Sequence, residues 1–304
     1  MSLIRGLKKQ NILLILVIVL FIISFSLNIY LLCKHNKTKC IPIYSYLQQP
    51  DQILKMESGI IEVNSEFKKG EDIEIKYSFD NSNFKELLEK YNIEKIAGNG
   101  SEFKKVKNLM DEFAGRLIHD SYYSKYDPSM NSLELLEYSL DNKNHGINCR
   151  AKAQILNEMC LALGIYSRKV WLMPNSIYDT ECHVVNEIWD NELQKWIMFD
   201  ITENMYWVDE NKMPLSVLEI RNNIGNDIFC TPVHPSDSLT NLKKSRKDNC
   251  GNLLYIAKNM TYFEYMNCYS EGESDGYYLM PSNVDRETDR FISIESVQKA
   301  PENK

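Results

Sequence analysis

The chain has 304 residues, is 44% hydrophobic and 25% charged, and carries a formal charge of −7 with a pI near 5.4. That length suits one or two globular domains. The acidic balance excludes a nucleic-acid partner, because phosphate binding needs a concentrated basic surface. The one basic run, "LKKSRK" at 242–247, reads as the solvated face of a loop.

In chain order, residues 1–11 form a short tail, and "ILLILVIVLFIISFSLNIYLL" from Ile12 to Leu32 follows without a charge. At about 1.5 Å per helical residue, this run is long enough to cross the hydrocarbon core of a bilayer. A transmembrane helix is therefore expected over 12–33. No small-x-small cleavage site follows it, so it reads as an anchor rather than a cleaved signal. Arg5, Lys8 and Lys9 precede it, and Lys34, Lys37 and Lys39 follow it, so local charge is nearly balanced. An uncleaved N-terminal anchor most often leaves its tail inside. The expectation is a single-pass membrane protein with its body outside the cytoplasm. Of the 8 cysteines, all but Cys33 lie beyond this span, an odd number that cannot all pair within one chain. Asn36 and Asn259 open N-x-[ST] sequons.

Residues 34–80 are polar, with "EDIEIKYSF" suggesting at most a short strand, and read as a juxtamembrane stalk. A packed domain is expected over 81–295, and 296–304 as a frayed tail. Ser82 and Asn83 can cap "FKELLEKY", Ser101 precedes the periodic run "EFKKVKNLMDEFAGRLIH", and Asn131 precedes "SLELLEYSL". A fourth helix begins at Cys149, with Ala151, Ile155, Met159 and Ala162 on one face and Gly164 after it. The period then changes to that of strands in "SRKVWLM", "CHVVNEIW", "KWIMFDIT" and "NMYWV". "PLSVLEIRNNI" reads as a helix with Pro214 in its first turn, while "NLLYIAK", "YFEYMNCY" and "GYYLM" read as further strands. Helices followed by consecutive strands predict an α+β fold, helices packed on a mainly antiparallel sheet.

The chemistry gathers at three positions. A thiol at a helix N-terminus meets unpaired amides and the positive end of the dipole, which favour thiolate. If "DNEL" at 190–193 is the loop of a hairpin, His183 stands directly opposite Asp200 on one sheet face. A carboxylate on one ring nitrogen fixes the tautomer and leaves the other free to take a proton. Cys149, alone, would be a small buried hydrophobe, and the His183–Asp200 pair, alone, an ordinary cross-strand contact; together they make a nucleophile with its base. Cys160 reads as core, and Cys182, next to His183, should face the other way as a packing or bridge partner. A zinc site built from Cys149, Cys182, His183 and His145 is disfavoured, because adjacent strand residues point to opposite faces. Glu187 shares the face of His183 and reads as a rim salt bridge that could shape the cleft. His119 could line the cleft or end its helix as a cation, and the helix end is the expectation.

"GINCRAKAQILNEMCLALGIYSRKV", then "HVVNEIW", then "KWIMFDIT", resembles the transglutaminase-like superfamily, whose members share a papain-like cysteine-enzyme fold. The likeness runs over about 109–224, and "YWVDENKMPLSVLEIR" looks like the tail of bacterial members. It implies a thioester mechanism in which Cys149 attacks an amide or peptide carbonyl, His183 protonates the leaving amine and Asp200 orients His183. Water or an amine then resolves the intermediate. The Cys149 backbone amide should form part of an oxyanion hole, with Asn148, His145, Tyr122 or Tyr123 as candidates for the second donor. The upstream tryptophan of some relatives is missing, since Trp171, Trp189, Trp196 and Trp207 all follow Cys149. The chemistry calls for no metal or organic cofactor. Its expected partners are a protein, a peptide or a cell-wall peptide. The competing expectation is a non-catalytic module that holds a peptide or wall component in the same cleft.

Overall fold

The computed structural model describes Ser24 and residues 50–239, 250–272 and 274–302. The expected membrane span at 12–33 falls almost wholly outside them. Among the described residues, no helix is long and apolar enough to cross a membrane. From Asp51 onward the chain forms one compact unit.

A seven-stranded antiparallel sheet is the frame. Its strands are β2 (Ser167–Met173), β3 (His183–Asp190), β4 (Lys195–Asp200), β5 (Met205–Val208), β6 (Thr231–Val233), β7 (Tyr262–Met266) and β9 (Gly276–Leu279). Their spatial order is β6-β5-β4-β3-β2-β7-β9. A separate parallel pair joins β1 (Lys76–Tyr77) to β8 (Cys268–Tyr269). All eight residues of β3 are buried, because helices cover both faces of the sheet.

One face, carrying Ile188, Ile197, Phe199 and Tyr206, packs under α2 (Phe84–Lys90), α3 (Ile93–Ala97), α4 (Glu102–Phe113), α5 (Ser132–Asp141) and α6 (Cys149–Ala162). The other face, carrying Val170, Leu172, Val185 and Met198, packs against α1 (Pro50–Val63), α7 (Val217–Gly225), α8 (Cys250–Lys258) and α9 (Ile294–Gln298). The Ser101 cap of α4 and the Asn131 capping box of α5 stand where the sequence placed them.

Several expectations are corrected. The stretch read as a stalk is packed from α1 onward: Leu54 and Ile61 are buried, and Phe67 and Glu71 bridge to Pro281 and Ile292. The tail read as frayed is held too. Val297 is fully buried, Trp196 donates to the Lys299 carbonyl at 3.1 Å, and Tyr166 to that of Glu302 at 2.5 Å. "NLLYIAK" is helix, not strand. Leu253, Ile256 and Ala257 are its buried residues, at helical spacing, and the short run hid that period. Helix α7 starts after Ser216, whose capping box with Glu219 replaces the expected Pro214 start; Pro214 instead bridges to Val208. Helix α6 is not one-faced: every residue from Ala151 to Leu161 is buried, since sheet and helices enclose it. Of its polar members, Gln154 bonds to Glu158 and accepts from Lys169, while the fully buried side chain of Asn157 has neither polar atom in a hydrogen bond among the described residues. Asn259 of the second sequon is fully buried, its amide donating to the Tyr255 carbonyl at 3.0 Å.

Candidate active site

The site forms where three chain ends meet. Cys149 opens α6, His183 opens β3 and Asp200 closes β4. Asn148 caps α6, its side-chain oxygen accepting from the Ala151 amide at 3.1 Å and from the Tyr126 hydroxyl at 2.7 Å. The cap fixes the first turn and leaves the Cys149 N–H without a partner inside the helix. Helix α6 lies against the even-numbered face of β3, where Asn186 donates to the Ala153 carbonyl at 3.0 Å. His183 belongs to the odd-numbered face. Imidazole and thiol therefore meet at the end of the sheet, around the first residue of the strand.

The β3–β4 hairpin differs in register from the expected one. Asp190 pairs with Lys195 and Asn186 with Phe199, so the loop is 191–194 and Asp200 stands level with Val185 rather than His183. Asp190 imposes this by accepting from the Glu192 and Leu193 amides at 3.0 and 2.9 Å, while Gln194 takes φ 53°. The slip is of two residues, which preserves which side chains share a face. His183 and Asp200 are thus diagonal neighbours, joined by an Nε2–Oδ2 contact of 2.6 Å, with the histidine 1% and the aspartate 0% exposed. The other carboxylate oxygen accepts from the Thr202 and Glu203 amides at 2.9 and 3.1 Å. With Nε2 engaged, Nδ1 is the nitrogen left for the thiol.

The electrostatics favour an ion pair. Burial raises the Cys149 thiol, but the hydrogen bond and charge of His183, with the Val184 amide, outweigh it and bring its pKa below the ordinary thiol value. Burial pulls His183 down, and the charge and hydrogen bond of Asp200, together with Cys149, outweigh that and hold it protonated well above the usual imidazole range. A half-buried thiolate beside an imidazolium is a preassembled nucleophile and proton donor.

The remaining candidates separate. Asn148 is occupied as the cap. His145 is bonded through Nδ1 to the Tyr138 carbonyl at 2.9 Å and stacked on the Tyr138 ring, 4.3 Å between centroids, which commits it to packing against α5. Tyr122 and Tyr123 are exposed, the Tyr122 hydroxyl donating to Glu181 at 3.3 Å, and neither is shown beside the thiol. Glu187 is neither rim nor cleft. It is 1% exposed, grips Arg168 at 2.6 and 2.9 Å and accepts from the Val217 amide at 2.8 Å. The pair borders a cavity of about 590 Å³, which also meets Trp196 and Arg221 and contains none of Cys149, His183 or Asp200. Cys182 is free, half-buried and raised by burial and by the charge of Cys149. Among the described residues, no group of three His, Cys, Asp or Glu side chains is arranged to hold a metal ion.

Three residues enter that the sequence reading did not assign to the site. His119 lies beyond the end of α4, bridged to Ile147, with its ring within hydrogen-bond reach of Ser121 at 2.8 Å. Burial and the charges of Lys152 and His183 lower it, so the ring is neutral near pH 7. Lys152, 2% exposed, is lowered by burial and sustained by Asp200 and Glu203. Its spacing of three residues from Cys149 on a helix was the available signal. Tyr255 of α8 sets its ring edge-on to His183 at 5.2 Å and borders a pocket of about 140 Å³ with Asp200, Glu203 and Asn252. No local pattern links Tyr255 to a histidine 72 positions earlier.

Among solved structures, the chain is similar to a protein from Cytophaga hutchinsonii named as a putative cysteine protease, at 16% identity over 51% of this chain and 50% of that one, TM-score 0.32. It is also similar to the Rad4–Rad23 complex bound to a 6-4 photoproduct UV lesion, at 12% identity over 64% of this chain and 44% of that one, TM-score 0.22. The chain thus spans about half the length of these structures. No curated protein matches it. Residues 89–201 match the model of the transglutaminase-like superfamily, a span that includes Cys149, His183 and Asp200.

Proposed function

We propose that this protein is a cysteine enzyme of the transglutaminase-like type that cleaves or transfers the acyl group of an amide or peptide through a thioester on Cys149. One observation carries the reading: a thiol at the start of a buried helix bonded to an imidazole that a buried carboxylate holds at 2.6 Å. The Cys149 sulfur forms a bond to the substrate carbonyl carbon, and the electron pair moves to oxygen. The Cys149 amide is one donor for that oxygen. His119, bridged beside Ile147, is a candidate for the second. As the C–N bond breaks, His183 gives its proton to the leaving amine. Water or an amine then attacks the thioester, His183 takes back a proton, and the thiolate leaves. The Asp200 carboxylate steadies the imidazolium through the 2.6 Å contact. Residues 12–32 serve as the membrane anchor in this reading, with the enzyme body outside the cytoplasm.

The test sets peptide cleavage beside incorporation of a labelled amine into a glutamine-containing peptide, each with wild type and Cys149→Ala. Activity in either assay that vanishes in the variant supports the reading and tells hydrolysis from transfer. Turnover that survives the loss of the sulfur excludes it.

A further inference from the structure

Away from Cys149, the cavity of about 590 Å³ beside Arg168 and Glu187 has the size of a small-molecule site. Phe67, Trp196, Leu218, Ile294 and Val297 give it aromatic and aliphatic walls, drawn from the segment after α1 and from β4, α7 and α9. Charged side chains of both signs also line it: Arg168, Lys195 and Arg221 against Glu62, Glu187 and Glu219.

Their pairing decides what the cavity attracts. Glu187 is committed to Arg168 at 2.6 Å, both buried, and Glu219 to Lys195 at 2.7 Å. Those pairs cancel. Arg221, 4% exposed, and Glu62, which is exposed, are left, and they form no ion pair with each other. A carboxylate in water is screened, whereas a cation held in the interior acts through a lower dielectric. The field inside the cavity is therefore that of Arg221.

Arg221 is fixed but not neutralised. Its Nε donates to the Met260 carbonyl at 2.9 Å, its Nη2 to those of Asn64 and Thr261 at 2.6 and 3.3 Å, and Phe67 stacks on it at 4.7 Å. Those carbonyls lie just beyond the ends of α1 and α8, so a clamp between two helix ends explains two of the three nitrogens. The third is unexplained. Among the described residues Nη1 has no hydrogen-bond partner and no carboxylate is within ion-pair distance of the guanidinium. Burial alone pulls its pKa down to about 10, as expected of a buried cation without a counter-ion.

We propose that this cavity binds a small organic carboxylate, its charged end on Arg221 Nη1 and its apolar body against Trp196, Leu218 and Val297. A monoanion matches the one unpaired cation, while a second negative charge would face Glu187 and Glu219. A wholly apolar ligand would desolvate Nη1 without giving it a partner. Occupancy does not depend on the chemistry at Cys149.

Fluorine NMR titration of the full-length chain in detergent micelles tests this, with 4-(trifluoromethyl)benzoate and 4-(trifluoromethyl)benzamide as probes and protein-free micelles as blank. The acid should bind with a Kd of about 3 mM or tighter, the range that about 13 heavy atoms reach at ordinary ligand efficiency. It should bind at least about tenfold tighter than the amide, as a hydrogen bond to a charged group supplies. Arg221→Gln should erase that preference. In Leu218→Trp, whose larger ring fills the cavity, binding of the acid should weaken at least about tenfold. A weaker wild-type Kd or a smaller preference for the acid overturns the proposal, and neither reading needs a variant to fold. Acid binding that survives in Leu218→Trp, or a preference kept in Arg221→Gln, overturns it equally.

Discussion

Replacing His183 with alanine isolates the force that activates the thiol. A free cysteine with a pKa of about 8.5 is about 3% thiolate at pH 7, so complete ionisation is worth at most about thirtyfold in alkylation. A more acidic thiol is also a weaker nucleophile, which reduces the expected gain to about tenfold. In His183→Ala the hydrogen bond and positive charge vanish. Burial remains, and so does the nearby Asp200 carboxylate, and both raise the thiol. The variant should therefore label more slowly than a free thiol at pH 7, at least about tenfold below wild type. The pH dependence carries the sign. Wild-type labelling persists as pH falls below the ordinary thiol range and is lost only when the depressed Cys149 pKa is crossed; the variant's midpoint moves above that range. Iodoacetamide rates from pH 4.5 to 9.5, read at Cys149 by mass spectrometry, measure both curves. Coincident curves would refute the argument, since they would mean the imidazole does not stabilise the sulfur's charge.

Glu187→Gln leaves Arg168 buried beside Trp196 without its carboxylate and should cost about 3–5 kcal/mol in urea unfolding, whereas replacing both partners with apolar residues of similar volume should cost much less. Gly146→Ala places a methyl 2.5 Å from the Asp120 side chain, so the strand-like contact with Ile147 must shift; a loss of about 1–3 kcal/mol and faster hydrogen exchange at the Asp120 and Ile147 amides are expected. Burial raises Glu158 to about 7, so the folded state holds a proton that the unfolded chain has released between about pH 4.5 and 7. Stability should decline across that window by about 3 kcal/mol, and in Glu158→Gln that part of the pH profile should flatten.

What the sequence revealed of the site was the part written in short-range pattern. The alternation along β3 and β4 put His183 and Asp200 on one face, and a hairpin misregistered by two residues could not undo that, because parity alone decides the face. The loop was placed one residue early because Asp190, a turn-forming residue type, was counted within it, whereas it closes the last strand pair and caps the turn from there. Glu187 looked superficial because its partner Arg168 sits on another strand, and only the β2–β3 pairing brings them level. Helix α8 was mistaken for a strand because seven residues hold too few turns to display their period. Tyr255 and the packing of 50–77 depend on contacts between distant segments, for which local sequence carries no signal.

The burial of α6 on every side has a further consequence. Its first residue bears the thiol, so a shift of the backbone that carries the sulfur would have to displace the sheet and helices packed around residues 151–161. Only the half-buried side chain of Cys149 itself can turn without that cost.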